Sequence, residues 1–367
     1  MKEFTSYIYY FTVFCLVMNF VFGKLRLISA FGMYYMQKKR SPDEALPGVS
    51  VIICSRSDLK NLQQNLPFIL EQEYPVFEII VVNDASNDGT REYLDSLSHS
   101  NLKIIHIDKK TEAGKKPALI VGTENASHPF LLLTDADCKP MSKNWIKSHI
   151  QFADEKNTVV LGYGKHEKRK GFLNMLIRFD TATIAMQYMN SALWKYPYMG
   201  VGRNMGYAKD LSPVLKTIDT NIASGDDDLF VQAISKKAKI QVNLEKDSFT
   251  VSPAKESLKE WLVQKGRHTT TAPKYSFFTK AGIMLKWSVS AGFYLGFIII
   301  LLTGDALTGS ILFGLNLLLV GLFNGLWFRK LGENDLILSG PFLNFIYTFV
   351  QPVFVIKSMG RKKDQWN

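Results

Sequence analysis

FLLLTDAD, residues 130–137, is the stretch that decides the fold, because four consecutive apolar residues are followed, after one threonine, by two closely spaced aspartates. Short apolar runs bounded by turn residues are typical of strands buried in a parallel sheet. Three similar runs precede it: VSVIIC at residues 49–54, FEIIVV at residues 77–82 and LKIIHI at residues 102–107. The pattern predicts four buried strands, one of which ends at a pair of carboxylates.

Helical patterns fill the intervals between these runs. The leucines of residues 59–66 share one face of a predicted helix, and residues 88–97 and 117–125 are predicted as two more helices. Alternating strands and helices predict an α/β fold, with a mostly parallel sheet and flanking helices.

Acidic residues follow two of the predicted strands. Asp84 ends the second run, and Asp135 and Asp137 end the fourth. Ligands of open α/β sheets bind beyond the carboxyl ends of the strands, so these acids indicate a site rather than isolated turns. Asp135 and Asp137 can present two carboxylates to one Mg²⁺ or Mn²⁺, which would neutralise a diphosphate leaving group. The turn at residues 54–61, CSRSDLKN, has no glycine, which argues against a dinucleotide-binding fold.

The composition combines a polar body with membrane-seeking segments. The chain has 367 residues, 47% of them hydrophobic, and a mean hydropathy of zero. Uncharged runs at residues 4–22, 287–303 and 306–328 approach the ~20 residues that span a bilayer, although any one of them could be a buried core helix. The fourth run, residues 341–356, is short and interrupted by polar residues and a proline. We expect it to lie in the membrane interface or to re-enter, although a span stays open.

The basic residues indicate the topology. Lysines and arginines flank the predicted spans after residue 23, before residue 287 and after residue 328. The positive-inside rule then places the N-terminus outside and residues 24–286 in the cytoplasm. The net charge of +11 therefore fits membrane lipids as partners. The sequence has no basic stripe interleaved with aromatic residues, so it does not favour nucleic acid as a partner. The three cysteines are not spaced as metal ligands, and no disulfide is expected between them.

Five segments carry a family resemblance when taken in order. They are VSVIICSRSDLKNL (49–62), EIIVVNDASNDGT (78–90), LLLTDADCKP (131–140), SGDDDLF (224–230) and QKGRH (264–268). With them the chain resembles the family 2 glycosyltransferases with a GT-A fold and membrane helices, over about residues 47–270. The resemblance implies an enzyme of the hexosyltransferase type. It would transfer a sugar with inversion from a nucleotide sugar, usually UDP-linked, using Mn²⁺ or Mg²⁺.

The resemblance also implies roles for individual residues. Asp226 aligns with the catalytic base of the family's E-D-x-x-L motif and is predicted to be catalytic together with Asp227, although acids also favour a helix N-terminus. His268 replaces a tryptophan that stacks on the acceptor sugar in polysaccharide synthases, which argues against processive polymerisation. The predicted nucleotide-sugar ligands are Ser55, Asp58, Asp84, Lys116, Asp135, Gln264 and Arg267, the metal ligands are Asp135 and Asp137, and the acceptor region is Gly202, Arg203, Asn204 and His268.

We therefore expect a membrane-bound glycosyltransferase of a bacterial inner membrane that acts on a lipid-linked or membrane-associated glycan. The alternatives are a processive synthase of the same family and a non-catalytic membrane scaffold. Residues 172–195 are either an interfacial helix near the acceptor or part of the core. The expected regions are an anchor at 1–23, a basic juxtamembrane segment at 24–46, a cytoplasmic GT-A domain at 47–280 and a C-terminal membrane region at 281–367.

Overall fold

The computed structural model describes residues 2–359 except for 42–43, 111, 113, 154–155 and 219–223. In chain order its strands are β1 (Val49–Ser55), β2 (Phe77–Asp84), β3 (Leu102–Ile107), β4 (Phe130–Asp135), β5 (Lys139–Pro140), β6 (Thr158–Leu161), β7 (Gly164–His166), β8 (Met205–Ala208), β9 (Lys239–Val242) and β10 (Thr250–Ser252). The helices are α1 (Lys2–Leu27), α2 (Leu59–Leu70), α3 (Thr90–Asp95), α4 (Lys116–Glu124), α5 (Trp145–Ile150), α6 (Phe172–Leu193), α7 (Asp228–Ile234), α8 (Leu258–His268), α9 (Phe277–Leu302), α10 (Ala306–Lys330) and α11 (Leu336–Met359).

The four predicted strands form one side of a seven-stranded sheet of order β3-β2-β1-β4-β8-β6-β9. β1, β2, β3 and β4 pair in parallel, whereas β8 pairs antiparallel with both β4 and β6. The prediction of a mostly parallel α/β sheet is confirmed. β3 is only partly buried because it lies at the edge of the sheet, and β2 continues beyond its predicted end to include Asp84.

The predicted helices also form, with shifted bounds. α2 buries Leu62 and Leu66 against the sheet, as their spacing predicts. α3 is shorter than the predicted 88–97, and α4 starts one residue before the predicted 117. A second sheet has three strands in the order β5-β10-β7. The sequence did not predict it.

Within the described residues, four helices are long and apolar enough to cross a membrane. They are α1 with the short π-helical segment Ile28–Met33, α9, α10 and α11. At its basic end α9 begins about three turns before the predicted run, because Lys280 and Lys286 continue the helix. At its basic end α10 extends about half a turn past the predicted run, through Arg329 and Lys330. The fourth run is part of a helix of 24 residues, longer than predicted.

The basic ends of α1 and α10 lie together on the side of the α/β domain. The indole of Trp327 donates to the carbonyl of Arg26 (3.1 Å), and Lys330 lies over the ring of Tyr34. At the opposite end of the bundle, the Tyr9 hydroxyl donates to Asp305 in the turn between α9 and α10 (2.7 Å). α1 and α10 are thus antiparallel to α9, with their cationic ends toward the domain.

Helix α6 belongs to the core. Fourteen of its 22 residues are buried, so α6 packs mainly in the core rather than forming an exposed interfacial helix. Arg178 of α6 pairs with Glu333 and Asp335 in the turn between α10 and α11, and Tyr163 also donates to Glu333. These ion pairs and the hydrogen bond connect the turn between α10 and α11 to the α/β domain.

Candidate functional site

A cavity of about 400 Å³ opens at the carboxyl ends of β1 and β4 and reaches to α6 and α8. Helix α7 begins beside it, and the turn before β8 forms part of its wall. Among the predicted site residues, those that line the cavity are Asp58, Asp135, Asp137, Gly202, Arg203, Asp226, Asp227, Gln264, Arg267 and His268. Sequence positions up to 210 residues apart therefore meet at one edge of the sheet.

Four predicted site residues do not line this cavity. Ser55 is the last residue of β1 and is fully buried. Asp84 is buried at the end of β2 and pairs with Lys110 (2.6 Å). Lys116 is buried and donates to the carbonyl of Ile218 (3.3 Å). Asn204 accepts hydrogen bonds from Trp145 and His149 and donates to two carbonyls, so its side chain holds the turn rather than facing a ligand.

The cation at the Asp135 carboxylate is Lys115, the neighbour of the predicted nucleotide-sugar ligand Lys116. Lys115 precedes α4, and its ammonium contacts Asp135 directly. Burial alone would raise the pKa of Asp135, but the charge and hydrogen bond of Lys115 outweigh it and lower that pKa. Burial and the charge of Asp135 raise the pKa of Asp137. The guanidinium groups of Arg203 and Arg267 also favour the ionised form of Asp135.

This end of the cavity has ligand groups suited to a hard cation. Ligand atoms of Asp135, Asp137 and Cys138 lie within 4.8 Å of one another. Burial raises the pKa of the Cys138 thiol well above its ordinary value, so it stays protonated and is a poor ligand. The two carboxylates are the oxygen ligands that Mg²⁺ and Mn²⁺ prefer.

Three consecutive carboxylates occupy the start of α7. Asp227 caps the helix by accepting from the N–H of Asp228 (2.8 Å), and it also accepts from the N–H of Gly202 (3.1 Å). Asp228 is buried and accepts from the hydroxyl of Tyr275 (2.6 Å). No hydrogen bond to another described residue constrains the Asp226 side chain, which lines the cavity. Asp226 is therefore the carboxylate available to a ligand.

The backbone before α7 accounts for a departure from the family motif. Gly225 takes the place of the family's glutamate, and its φ is +101°. Only glycine adopts such a conformation readily, so the turn that delivers Asp226 requires it. Burial, followed by the charges of Asp226 and Asp228, raises the pKa of Asp227 to about 8.

Helix α8 supplies the opposite wall. Ser257 caps it by accepting from the N–H of Glu260 (3.2 Å). Lys265 of this helix pairs with Asp180 of α6, which is fully buried and also accepts from the Tyr347 hydroxyl of α11. Asp180 and Lys265 were not predicted, although a charged residue inside the apolar stretch 172–195 is a signal that could have found the aspartate.

Other cavity residues had no recognisable sequence signal. Tyr163 directly precedes β7 and His166 is the last residue of that strand, where polar and aromatic residues do not repeat with a clear period. Arg203 lies 3.4 Å from His166 through its guanidinium. Burial, with the charge of Arg203, lowers the pKa of His166 to about 3, so its ring is neutral.

Comparison with known proteins identifies the domain. Residues 50–212 match the model of glycosyl transferase family 2. This part of the chain is a family 2 glycosyltransferase domain. An uncharacterized glycosyltransferase of Haemophilus influenzae is 29% identical over 158 residues, 42% of this chain and 46% of that protein. A poly-beta-1,6-N-acetyl-D-glucosamine synthase of Staphylococcus epidermidis is 31% identical over 99 residues, 27% of this chain and 24% of that protein.

The fold has a solved counterpart along the whole chain. A mannosyltransferase of Pyrobaculum calidifontis, in complex with GDP-Man and Mn²⁺, superposes with a TM-score of 0.58 and 16% identity. The superposition covers 96% of this chain and 99% of that one. The predicted GT-A fold with membrane helices is thus confirmed. The aligned segments span less than half of either curated relative named above.

Proposed function

We propose that the protein is a membrane-bound inverting glycosyltransferase that moves a sugar from a nucleotide sugar, with UDP as the expected nucleotide, to a hydroxyl of a lipid-linked or membrane-associated glycan. The observation that carries this proposal is the placement of Asp226. It lines the same cavity as the Asp135 and Asp137 carboxylates on one side and α8 on the other. A base between a diphosphate site and an acceptor site is what direct displacement requires.

The reaction is a single displacement at the anomeric carbon of the donor sugar. The acceptor oxygen forms the new bond to that carbon while its proton passes to Asp226. The bond between the anomeric carbon and the diphosphate oxygen breaks, and the nucleoside diphosphate leaves with the electron pair. One base and no covalent intermediate give inversion.

The end of the cavity that contains Asp135 supplies the positive charge that stabilises the leaving group. Lys115, Arg203 and Arg267 place positive charge around Asp135, and the guanidinium groups suit bidentate contact with phosphate oxygens. Asp135 and Asp137 would hold Mn²⁺ or Mg²⁺, which supplies further positive charge to the departing diphosphate when bound.

The membrane helices support a cytoplasmic orientation of the domain. The basic ends of α1 and α10 face the domain, and the positive-inside rule assigns such ends to the cytoplasm. We place α11 in the interface rather than across the bilayer, because Tyr347 and Phe354 of this helix contact α6 and α8 of the domain. The domain boundaries at residues 47 and 280 remain part of this proposal, as do the remaining site assignments.

The test separates donor binding from turnover. Calorimetry with UDP and GDP, each with and without Mn²⁺, measures binding, and nucleotide release from a panel of nucleotide sugars measures turnover. Asp226→Asn should keep binding within about twofold and lose about 100-fold or more of turnover, the scale of general base catalysis. Asp210→Asn, an exposed acid outside the cavity lining, is the matched control.

Two results would count against the proposal. Wild-type turnover in Asp226→Asn would exclude this residue as the base. Absence of any metal-dependent nucleotide binding in the wild-type chain would instead favour the non-catalytic scaffold.

A further inference from the structure

Lys115 occupies a carboxylate that a divalent cation would need. Its ammonium contacts Asp135 directly, and its side chain is 12% exposed in the cavity wall. Asp58 and Asp137 line the same cavity, and the charges of Asp135 and Asp58 act on Asp137. Within the part of the chain that the structure describes, the pair with Lys115 is the one ion pair that these three acids make. The lysine is therefore the counter-ion of this acidic group.

The backbone that carries Lys115 is held in place, whereas its side chain is long and flexible. The preceding Gly114 is buried and has a φ of +87°, which favours glycine. Its carbonyl accepts from the ammonium of Lys110 (3.0 Å), and the carbonyl of Lys115 accepts from the N–H of Leu119 in α4 (3.0 Å). A lysine presents three donors on a stem of four carbons. The ammonium of Lys115 can therefore move to a nearby acceptor while its loop stays in place.

A cation held by Asp135 and Asp137 would meet the positive charge of Lys115 on a shared carboxylate. Two cations on one carboxylate repel each other, and the repulsion is stronger in a partly buried site than in water. A diphosphate supplies a second acceptor for the ammonium, because phosphate oxygens make charge-assisted hydrogen bonds as carboxylates do. Lys115 is the cation in contact with Asp135, whereas Arg203 and Arg267 act on it through their charges.

We propose that Lys115 is an exchange residue. It pairs with Asp135 while the donor site is empty and so opposes the binding of Mn²⁺ or Mg²⁺ alone. Its ammonium moves to the diphosphate when the nucleotide sugar and the metal bind together. Metal and nucleotide then bind cooperatively, and by linkage each raises the affinity of the other by the same factor. This inference rests on the donor site of the proposed function and adds the residue that couples donor binding to metal binding.

Binding of Mn²⁺ to the nucleotide-free chain measures the competition without any turnover. The full-length protein in phosphatidylcholine nanodiscs is titrated with Mn²⁺, and the unbound ion is followed by electron paramagnetic resonance. Lys115→Met removes the ammonium and keeps an unbranched side chain. We expect its Kd for Mn²⁺ to fall about tenfold or more, the scale of one interaction with a charged group. With UDP present the difference should disappear, because the wild-type lysine has then left Asp135.

The affinity for UDP measures the second half of the exchange. At saturating Mn²⁺, calorimetry should give a Kd for UDP about tenfold or more higher in Lys115→Met than in the wild type, because the diphosphate loses its ammonium partner. Lys115→Arg keeps the charge and should retain the weak binding of Mn²⁺ alone. Lys115→Gln is a second neutral variant, so the comparison does not depend on one substitution. Lys109→Met, an exposed lysine of the same loop, is the matched control and should behave as the wild type.

A Kd for Mn²⁺ that is unchanged or higher in both neutral variants would overturn the inference, because Lys115 would then only hold Asp135 in place. Tighter Mn²⁺ binding with unchanged UDP affinity would also overturn it, since the ammonium would not move to the diphosphate. Nucleotide release from nucleotide sugars is measured separately. If both titrations give the expected shifts and no nucleotide sugar is consumed, the proposed transfer reaction fails while the exchange at Asp135 stands, so the two failures are distinguishable.

Discussion

The ion pair between Asp180 and Lys265 joins three helices and allows a quantitative prediction. Asp180 is fully buried on α6, the Lys265 side chain on α8 is 11% exposed, and Tyr347 of α11 donates to the same carboxylate. Lys265→Met leaves the Asp180 carboxylate buried without its cation, which costs about 3–5 kcal/mol. For a domain of this size, that free energy lowers the unfolding temperature by about 6–20 °C.

Removing both charges should cost much less than removing one. The double variant Asp180→Asn/Lys265→Met has no buried charge, and replacing both ions of a buried pair by neutral groups is often close to neutral in stability. We therefore expect the double variant to recover most of the loss seen in Lys265→Met. Tyr347→Phe removes one hydrogen bond to a charged group and should cost about 1.5–3 kcal/mol.

The assay is thermal unfolding followed by tryptophan fluorescence in nanodiscs, at one scan rate, because membrane proteins often unfold irreversibly. Tyr294→Phe is a control that loses a hydroxyl within the membrane helices and does not touch α8. The single variant Asp180→Asn completes the comparison. If the double variant loses as much stability as Lys265→Met and Asp180→Asn added together, Asp180 and Lys265 are not coupled and the reasoning is wrong.

Two further predictions concern topology and pH. Asp305→Cys should react with a membrane-impermeant maleimide in intact cells, whereas Arg329→Cys should not. The opposite labelling pattern would contradict the cytoplasmic orientation that we propose for the domain. The native cysteines are buried, so they should not add to the labelling. Since the pKa of Asp227 is raised from 3.8 to about 8, the folded chain holds a proton that the unfolded chain loses, and stability falls as pH rises through that interval. Asp227→Asn should flatten the difference in unfolding temperature between pH 6 and pH 9, and an unchanged slope would contradict the shift.

The first half of the sheet could be predicted because its strands are continuous apolar runs buried between helices. The second half could not. β8 has four residues, two of them Gly206 and Tyr207, and it pairs antiparallel with β4 across more than 70 residues of sequence. A Cβ at Gly206 would lie 2.6 Å from the ring of Phe130, so this strand depends on a close tertiary contact. Such a contact has no local sequence signal.

The acids of the site were easier to predict than its cations. Asp135 and Asp137 were predicted from a strand end, and Asp226 was predicted from the family resemblance. The choice between Lys115 and Lys116 could not be predicted, because adjacent residues at the start of a helix point about 100° apart and only one direction faces the cavity. Lys115 faces Asp135, and Lys116 packs toward Ile218.

Helix α11 shows why length alone does not decide a membrane placement. With 24 residues it could span a bilayer, yet residues from its middle onward contact the domain. The Tyr347 hydroxyl donates to Asp180 of α6, and the ring of Phe354 lies 5.1 Å from that of Trp261 in α8. A spanning helix would carry this part away from the domain, so these contacts support the proposed interfacial placement. Under that proposed placement the membrane surface would lie against the wall that contains Trp261, and the lipid-linked acceptor that we propose would reach Asp226 by lateral diffusion without leaving the bilayer.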